Sequence, residues 1–276
     1  MQTFTHDGFT FDLVDSGPPD GRVVILLHGF PQSKAAWSEV APHLTDAGLR
    51  VLAPDQRGYS PGARPEGRRA YQSSALTADV LALADAAGAQ RFHLVGHDWG
   101  ALVAWELAAH HPDRVETLTT LSVPHPRAFA ASMVRSSQVL RSWYMLAFQI
   151  PGVERLAVRR DGALFRRGLA GTGMTEERID EAAARMTEPG ALASALNWYR
   201  AIPFSGANAT PEVTVPTTHV WSSGDSALTR AGAELTGRFV TGPYRLEILE
   251  GVSHWIPEEV PDRAAEIILA RVSGTQ

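Results

Sequence analysis

The sequence predicts an α/β protein: a mostly parallel, eight-stranded sheet with helices on both faces and a helical insertion late in the chain. Three observations predict it. Eight short runs are apolar throughout or alternate apolar with polar, as strands do. From residue 22 onward such runs alternate with stretches whose apolar residues recur every three or four positions, the order that gives a parallel sheet flanked by helices. From 124 to about 213 there is no strong strand, only helical sequence rich in arginine, alanine and aromatics.

The first two runs, 2–6 and 9–14, are joined by Asp7-Gly8, a pair that tolerates the positive φ of a tight hairpin. Residues 22–27 (RVVILL) read as a strand buried on both faces, and 50–53, 92–95 and 115–123 continue the series. Amphipathic helices are expected at 34–47 and 74–87, with a further helix at 101–110. Strands return at 217–221 and 245–249, and a helix closes the chain from 261 to about 272. The expected division is a core of 1–123 and 214–276, with 124–213 inserted as a lid over the sheet's carboxyl edge. Ligands of open α/β sheets bind at that edge.

Composition narrows the function. The net charge of −5 is spread along the chain, which argues against nucleic acid, because phosphate binding needs a concentrated basic face. The absence of cysteine excludes disulfides, thiolate nucleophiles and thiolate metal sites. Residues 1–15 carry no signal pattern, and no apolar run approaches the roughly 18 residues of a membrane helix. A soluble cytoplasmic protein, monomer or homodimer, is expected. His110 and His111 are adjacent on a helix, so they face apart and hold no metal together. His93, His97, His125 and His219 read as packing or surface residues.

The most informative segment is Gly96-His97-Asp98-Trp99-Gly100, between a buried strand and a helix. It has the shape of a nucleophile elbow, in which a sharp turn lifts one side chain above the sheet. Alone it is also what a strand-to-helix turn with an Asp N-cap looks like. Three further segments weigh against that. His28-Gly29-Phe30-Pro31 follows the strand at 22–27, and its turn aims the Phe30 N–H where the Trp99 N–H points, as an oxyanion hole requires. Ser222-Ser223-Gly224-Asp225 places an acid after another strand, and Gly251-Val252-Ser253-His254-Trp255 places a histidine after the last. Nucleophile, acid and histidine follow in the order of a hydrolase triad on such a sheet. An Asp in the nucleophile position changes the chemistry: a carboxylate attacking an sp³ carbon forms an ester, which water must then hydrolyse.

On these motifs, together with Asp55-Gln56-Arg57-Gly58-Tyr59-Ser60, the sequence resembles the α/β-hydrolase-fold epoxide hydrolases of the soluble type along nearly its whole length. The resemblance implies two lid tyrosines that hold and protonate the epoxide oxygen. One falls in Asn197-Trp198-Tyr199-Arg200, and the other, Tyr144, lies four residues before Phe148-Gln149-Ile150-Pro151-Gly152. It implies a small apolar epoxide and water as reactants, no cofactor or metal, and Phe30, Trp99, Phe148 and Trp255 against the substrate. Ala147 stands where some relatives have a bulkier residue, and the lid is short, so substrate identity does not carry over.

Two other readings stay open. A haloalkane or fluoroacetate dehalogenase shares the Asp nucleophile, but the Phe30 side chain has no donor for a departing halide, and halide chemistry has no use for two tyrosines. A catalytically silent ligand receptor keeps the fold without the reaction. A serine esterase is disfavoured because the elbow carries Asp.

Overall fold

The computed structural model describes residues 1–205 and 210–274; positions 206–209 of the expected insertion and 275–276 of the expected core lie outside the described residues. The strands are β1 (Thr3–His6), β2 (Phe9–Ser16), β3 (Val23–Leu27), β4 (Arg50–Pro54), β5 (Phe92–His97), β6 (Val115–Leu121), β7 (Thr217–Ser222) and β8 (Tyr244–Leu249). They form one sheet in the order β1-β2-β4-β3-β5-β6-β7-β8. Only the pairs β1–β2 and β2–β4 are antiparallel. The opening hairpin turns at Asp7 and Gly8, with φ of 50° and 78°, the positive pair that matches strand twist.

The helices of the first half are α1 (Val40–Asp46), α2 (Ser73–Ala86) and α3 (Trp99–His110). Between β6 and β7 come α4 (Pro126–Arg135), α5 (Gln138–Arg141), α6 (Trp143–Ala147), α7 (Val153–Ala157), α8 (Arg159–Leu169), α9 (Glu176–Met186) and α10 (Ala191–Ala201). The chain ends with α11 (Arg230–Thr236), α12 (Ile256–Glu259) and α13 (Pro261–Ser273). No helix among the described residues is long and apolar enough to cross a membrane.

Strand β3 shows why a fully apolar run is needed at the sheet's centre. Ile25 and Leu27 pack with Leu83 of α2 and Trp105 of α3 on one face. Val24 and Leu26 pack with Val40 and Leu44 of α1 and Ile268 of α13 on the other. The strand's two-residue period serves two cores at once.

The helix expected at 34–47 is instead a short 3₁₀ turn (Lys34–Trp37) followed by α1. Pro42 explains the break. In one continuous helix its ring would clash with the Ser38 carbonyl and it would offer no N–H; restarted at Val40, the helix has Pro42 in its first turn, where neither matters. Helix α11 was not anticipated: it is two turns long, and its Gly232 lies so close to Pro124 that an added Cβ would sit 3.0 Å away.

The inserted helices are short, and isolated helices of such length are marginal in water. Their stability comes from packing onto the sheet. Helix α10 adds Leu192, Leu196 and Trp198 to the same cluster as Ile25 and Leu27. The Trp198 Nε1–H donates to the Arg57 carbonyl at 2.8 Å. A Cβ on Gly58 would press on the Ser194 backbone, so the segment after β4 is the seat on which α10 rests.

Candidate active site

Loops leaving the sheet's carboxyl edge carry the residues of interest. Asp98 alone makes the bend between β5 and α3, with φ 51° and ψ −118°, a conformation side chains rarely adopt. Neighbouring glycines make the bend possible. A Cβ on Gly96 would run into the Gly100 backbone, and one on Gly29 into the Asp98 side chain. Because Leu27 of β3 lies opposite Gly96 of β5, the next turn brings the Phe30 N–H to Asp98 Oδ1 at 2.8 Å.

Strands β7 and β8 are also neighbours, and the loops after them bring Asp225 Oδ2 to His254 Nδ1 at 2.7 Å. The other Asp225 oxygen accepts the N–H groups of Ala227 and Leu228 at 2.7 and 2.9 Å, so the carboxylate is fixed at both oxygens. His254 Nε2 faces Asp98 Oδ2 at 3.6 Å. The His254 carbonyl is held as well: Ser122 Oγ, at the end of β6, donates to it at 3.0 Å, and His97 Nε2 donates at 2.9 Å. Burial pushes the His97 pKa down to about 4, so the ring is neutral and has one N–H. On its other side, His97 Nδ1 lies 2.8 Å from Gln32 Oε1, so both ring nitrogens face an oxygen.

Burial disfavours charge on both His254 and Asp98, yet their neighbours prevail. The Asp225 and Asp98 carboxylates raise the His254 pKa to about 10. His254, His97 and the Phe30 N–H lower that of Asp98. At neutral pH the pair is a carboxylate facing an imidazolium.

Tyr144 on α6 and Tyr199 on α10 line the same cavity as Asp98 and Trp99, about 950 Å³ including its open mouth. Its walls are otherwise chiefly apolar, with Leu76, Leu102, Val123, Phe129, Met145 and Leu228. Burial, then the Asp98 charge, raises the pKa of both phenols, so both remain donors. The Tyr199 ring is gripped edge-on by Trp99, Phe148 and Phe30, with centroids at 4.8, 4.9 and 5.5 Å. The segments bearing the two tyrosines are clipped together. Gln149 Nε2 donates to the Tyr199 carbonyl at 3.0 Å, Arg200 Nε donates to the Phe148 carbonyl at 2.9 Å, and Arg200 pairs with Glu154 at 2.7 Å.

Of the four residues expected against the substrate, Trp99 lines the cavity and three stand elsewhere. Phe30 and Phe148 meet the Tyr199 ring edge-on, and each other at 5.7 Å. Trp255 meets the His254 ring edge-on at 5.0 Å and joins a separate cluster with Leu169, Met174 and Ile179. Its indole N–H is committed to Thr172 Oγ1 at 3.1 Å. The sequence reading also passed over Leu102 and Glu106, which line the cavity. A signal was there: they follow Asp98 at steps of four, the spacing that shares a helix face.

Residues 22–259 match the family model described as the alpha/beta hydrolase fold. The chain is 33% identical to "Epoxide hydrolase A" of Mycobacterium tuberculosis, covering 98% of this chain and 96% of the relative. It is 34% identical to "AB hydrolase superfamily protein YfhM" of Bacillus subtilis, covering 97% and 96%. Among solved structures, epoxide hydrolase A from Mycobacterium thermoresistibile superposes with a TM-score of 0.85 at 31% identity, covering 99% of this chain and 97% of that one.

Proposed function

The chain belongs to the α/β-hydrolase fold family, and from that premise we propose that it is an epoxide hydrolase working through a covalent ester on Asp98. The relatives' activity supports the reaction class, and the helices of 124–213 act as the lid of a soluble, cytoplasmic enzyme. One observation carries the reading: a half-buried carboxylate, paired with an imidazolium, shares a chiefly apolar cavity with two protonated phenols.

Chemistry follows from those groups. Tyr144 and Tyr199 hold the epoxide oxygen while Asp98 attacks a ring carbon. The C–O bond breaks, and one phenol gives its proton to the oxygen. The ester removes the Asp98 charge that helps keep a proton on His254, so that proton restores the phenol and the neutral imidazole becomes a base. Water then adds to the ester carbonyl carbon and His254, oriented by Asp225, takes its proton. The Phe30 and Trp99 N–H groups face the oxyanion. The bond from carbonyl carbon to diol oxygen breaks, and the alkoxide takes the proton of the new carboxyl. A vicinal diol leaves, and Asp98 and His254 return to their starting charges.

The test is diol formation from a panel of aryl and alkyl epoxides, with haloalkanes alongside. Turnover of epoxides that falls on the order of 10⁴-fold or more in Asp98→Ala is expected. Halide release without diol formation would favour a dehalogenase, and ligand binding without turnover a receptor.

A further inference from the structure

Helix α3 carries a second carboxyl group into the cavity. Leu102 and Glu106 lie four apart on one face of α3, and both line the cavity with Asp98, the residue just before the helix. At 1.5 Å per residue the second carboxyl group lies about 12 Å along the helix from the first. Glu106 is 6% exposed, beneath a wall that is mostly apolar. Its Oε1 accepts a hydrogen bond from Thr210, and its Oε2 lies 3.4 Å from His110 Nε2. Each carboxyl oxygen accepts two hydrogen bonds, so these partners leave acceptor sites open. Burial raises its pKa, and the largely apolar cavity likewise disfavours a charged partner.

Glu106 shares the cavity lining with two serines that the reaction does not use. Ser73 and Ser205 stand with it at this end, bonded to each other: Ser205 Oγ accepts the Ser73 N–H at 3.2 Å, and Ser73 Oγ donates to the Ser205 carbonyl at 3.3 Å. The same three residues also border an outer cleft lined by Gln72, Thr77 and His111.

We propose that Glu106 and Ser73 form a polar subsite at the far end of the cavity, selecting epoxides with an apolar middle and a neutral hydrogen-bonding group, a hydroxyl or amide, at the remote end. This rests on the epoxide hydrolase reading and adds what the substrate carries beyond the reacting ring. Glu106 keeps Thr210 and His110 whatever fills the cavity, and a remote hydroxyl adds a further hydrogen bond that an alkyl end cannot make.

The test compares two homologous series of terminal epoxides, plain alkyl and ω-hydroxyalkyl, with the unaltered protein, Glu106→Gln and Glu106→Leu. In the unaltered protein, kcat/KM for the ω-hydroxy series is expected to peak at a chain length spanning the cavity, with no matching peak in the alkyl series. The ratio of hydroxylated to alkyl kcat/KM at that length should fall about tenfold in Glu106→Leu and be largely kept in Glu106→Gln. A residue that merely ties α3 to Thr210 would lower both series together and leave the ratio unchanged, which overturns the subsite. If Glu106→Leu does not fold, the same chain-length peak in the unaltered protein decides, and its absence is equally fatal. Should no epoxide of either series be turned over, the hydrolase reading itself falls, an outcome distinct from turnover without selectivity.

Discussion

Asp98 sits in the sheet core and Tyr199 in the inserted helices, and the two are held by different kinds of contact. Around Asp98 the backbone does the holding: a strand-to-helix bend at φ 51°, glycines at 96, 100 and 29, and a main-chain N–H from Phe30. Around Tyr199 side chains do it: three rings edge-on, and the Gln149 and Arg200 side chains bonded to carbonyls across the gap. Backbone geometry at a strand end tolerates almost no change, whereas a packed aromatic cluster is rebuilt easily. On the proposed reading, the core sets the reaction, and the inserted helices set how the oxygen is held and what fits.

Perturbing the phenols tests that division most strongly. Tyr144→Phe and Tyr199→Phe keep the packing and remove only the donors. Each is expected to lower kcat by about tenfold to a hundredfold, and the pair on the order of 10³-fold. Rapid-quench measurement should place the loss in ester formation and leave ester hydrolysis, a core function, untouched. A loss in hydrolysis instead would mean that the two regions are not separable.

A milder change to the insertion sharpens the comparison. Arg200→Ala cuts the link between the α6–α7 turn and α10 without touching the cavity lining. Misplacement of both phenols should lower kcat/KM by about tenfold. Nothing in the core depends on that side chain, so the His254–Asp225 geometry stays as it is. Steady-state kinetics of the variant, with restoration by Arg200→Lys incomplete because lysine lacks the guanidinium fork, checks it.

The smallest effect expected is on stability against pH, and it belongs to the core. Burial lowers the pKa of His28, His93, His97 and His125 to about 4 and of His219 to about 3. A histidine kept neutral in the fold but free to charge when unfolded contributes stability that is full above about pH 6.5 and is lost as pH falls through its folded value. The thermal midpoint should therefore drop as pH goes from about 6.5 toward 4. His254 has the opposite sign: its pKa is raised, so its contribution is full below about 6.5 and is lost as pH rises toward about 10. Residues 126–201 contain no histidine, so the histidine contribution to both limbs comes from outside the inserted helices. Thermal melts across that range, by circular dichroism, check both signs.

The same division explains what the sequence made legible. Strands β3 to β8 and the positions of Asp98, Asp225 and His254 at strand ends follow from local pattern, because each is fixed by residues adjacent in the chain. Pro42 broke a helix that periodicity alone made continuous. In the insertion, short helices held by tertiary contact gave only a general helical signal. Tyr144 and Tyr199 were located through resemblance, and their supports, Gln149 and Arg200, act across 50 and 52 residues of chain. Phe30, Phe148 and Trp255 meet the same limit: an aromatic residue beside a site reads alike whether it lines the cavity or adjoins the lining. His97 was read as packing, and its hold on the His254 carbonyl spans 157 residues that no local pattern reveals.

Central to the account is that the oxygen added to the epoxide comes first from Asp98 and only later from water. A single turnover with enzyme in excess, in heavy-oxygen water, measures this directly. The account predicts an unlabelled diol and one heavy oxygen in the peptide containing Asp98, detected by mass spectrometry. Label appearing in the diol on the first turnover, with Asp98 unlabelled, would contradict it.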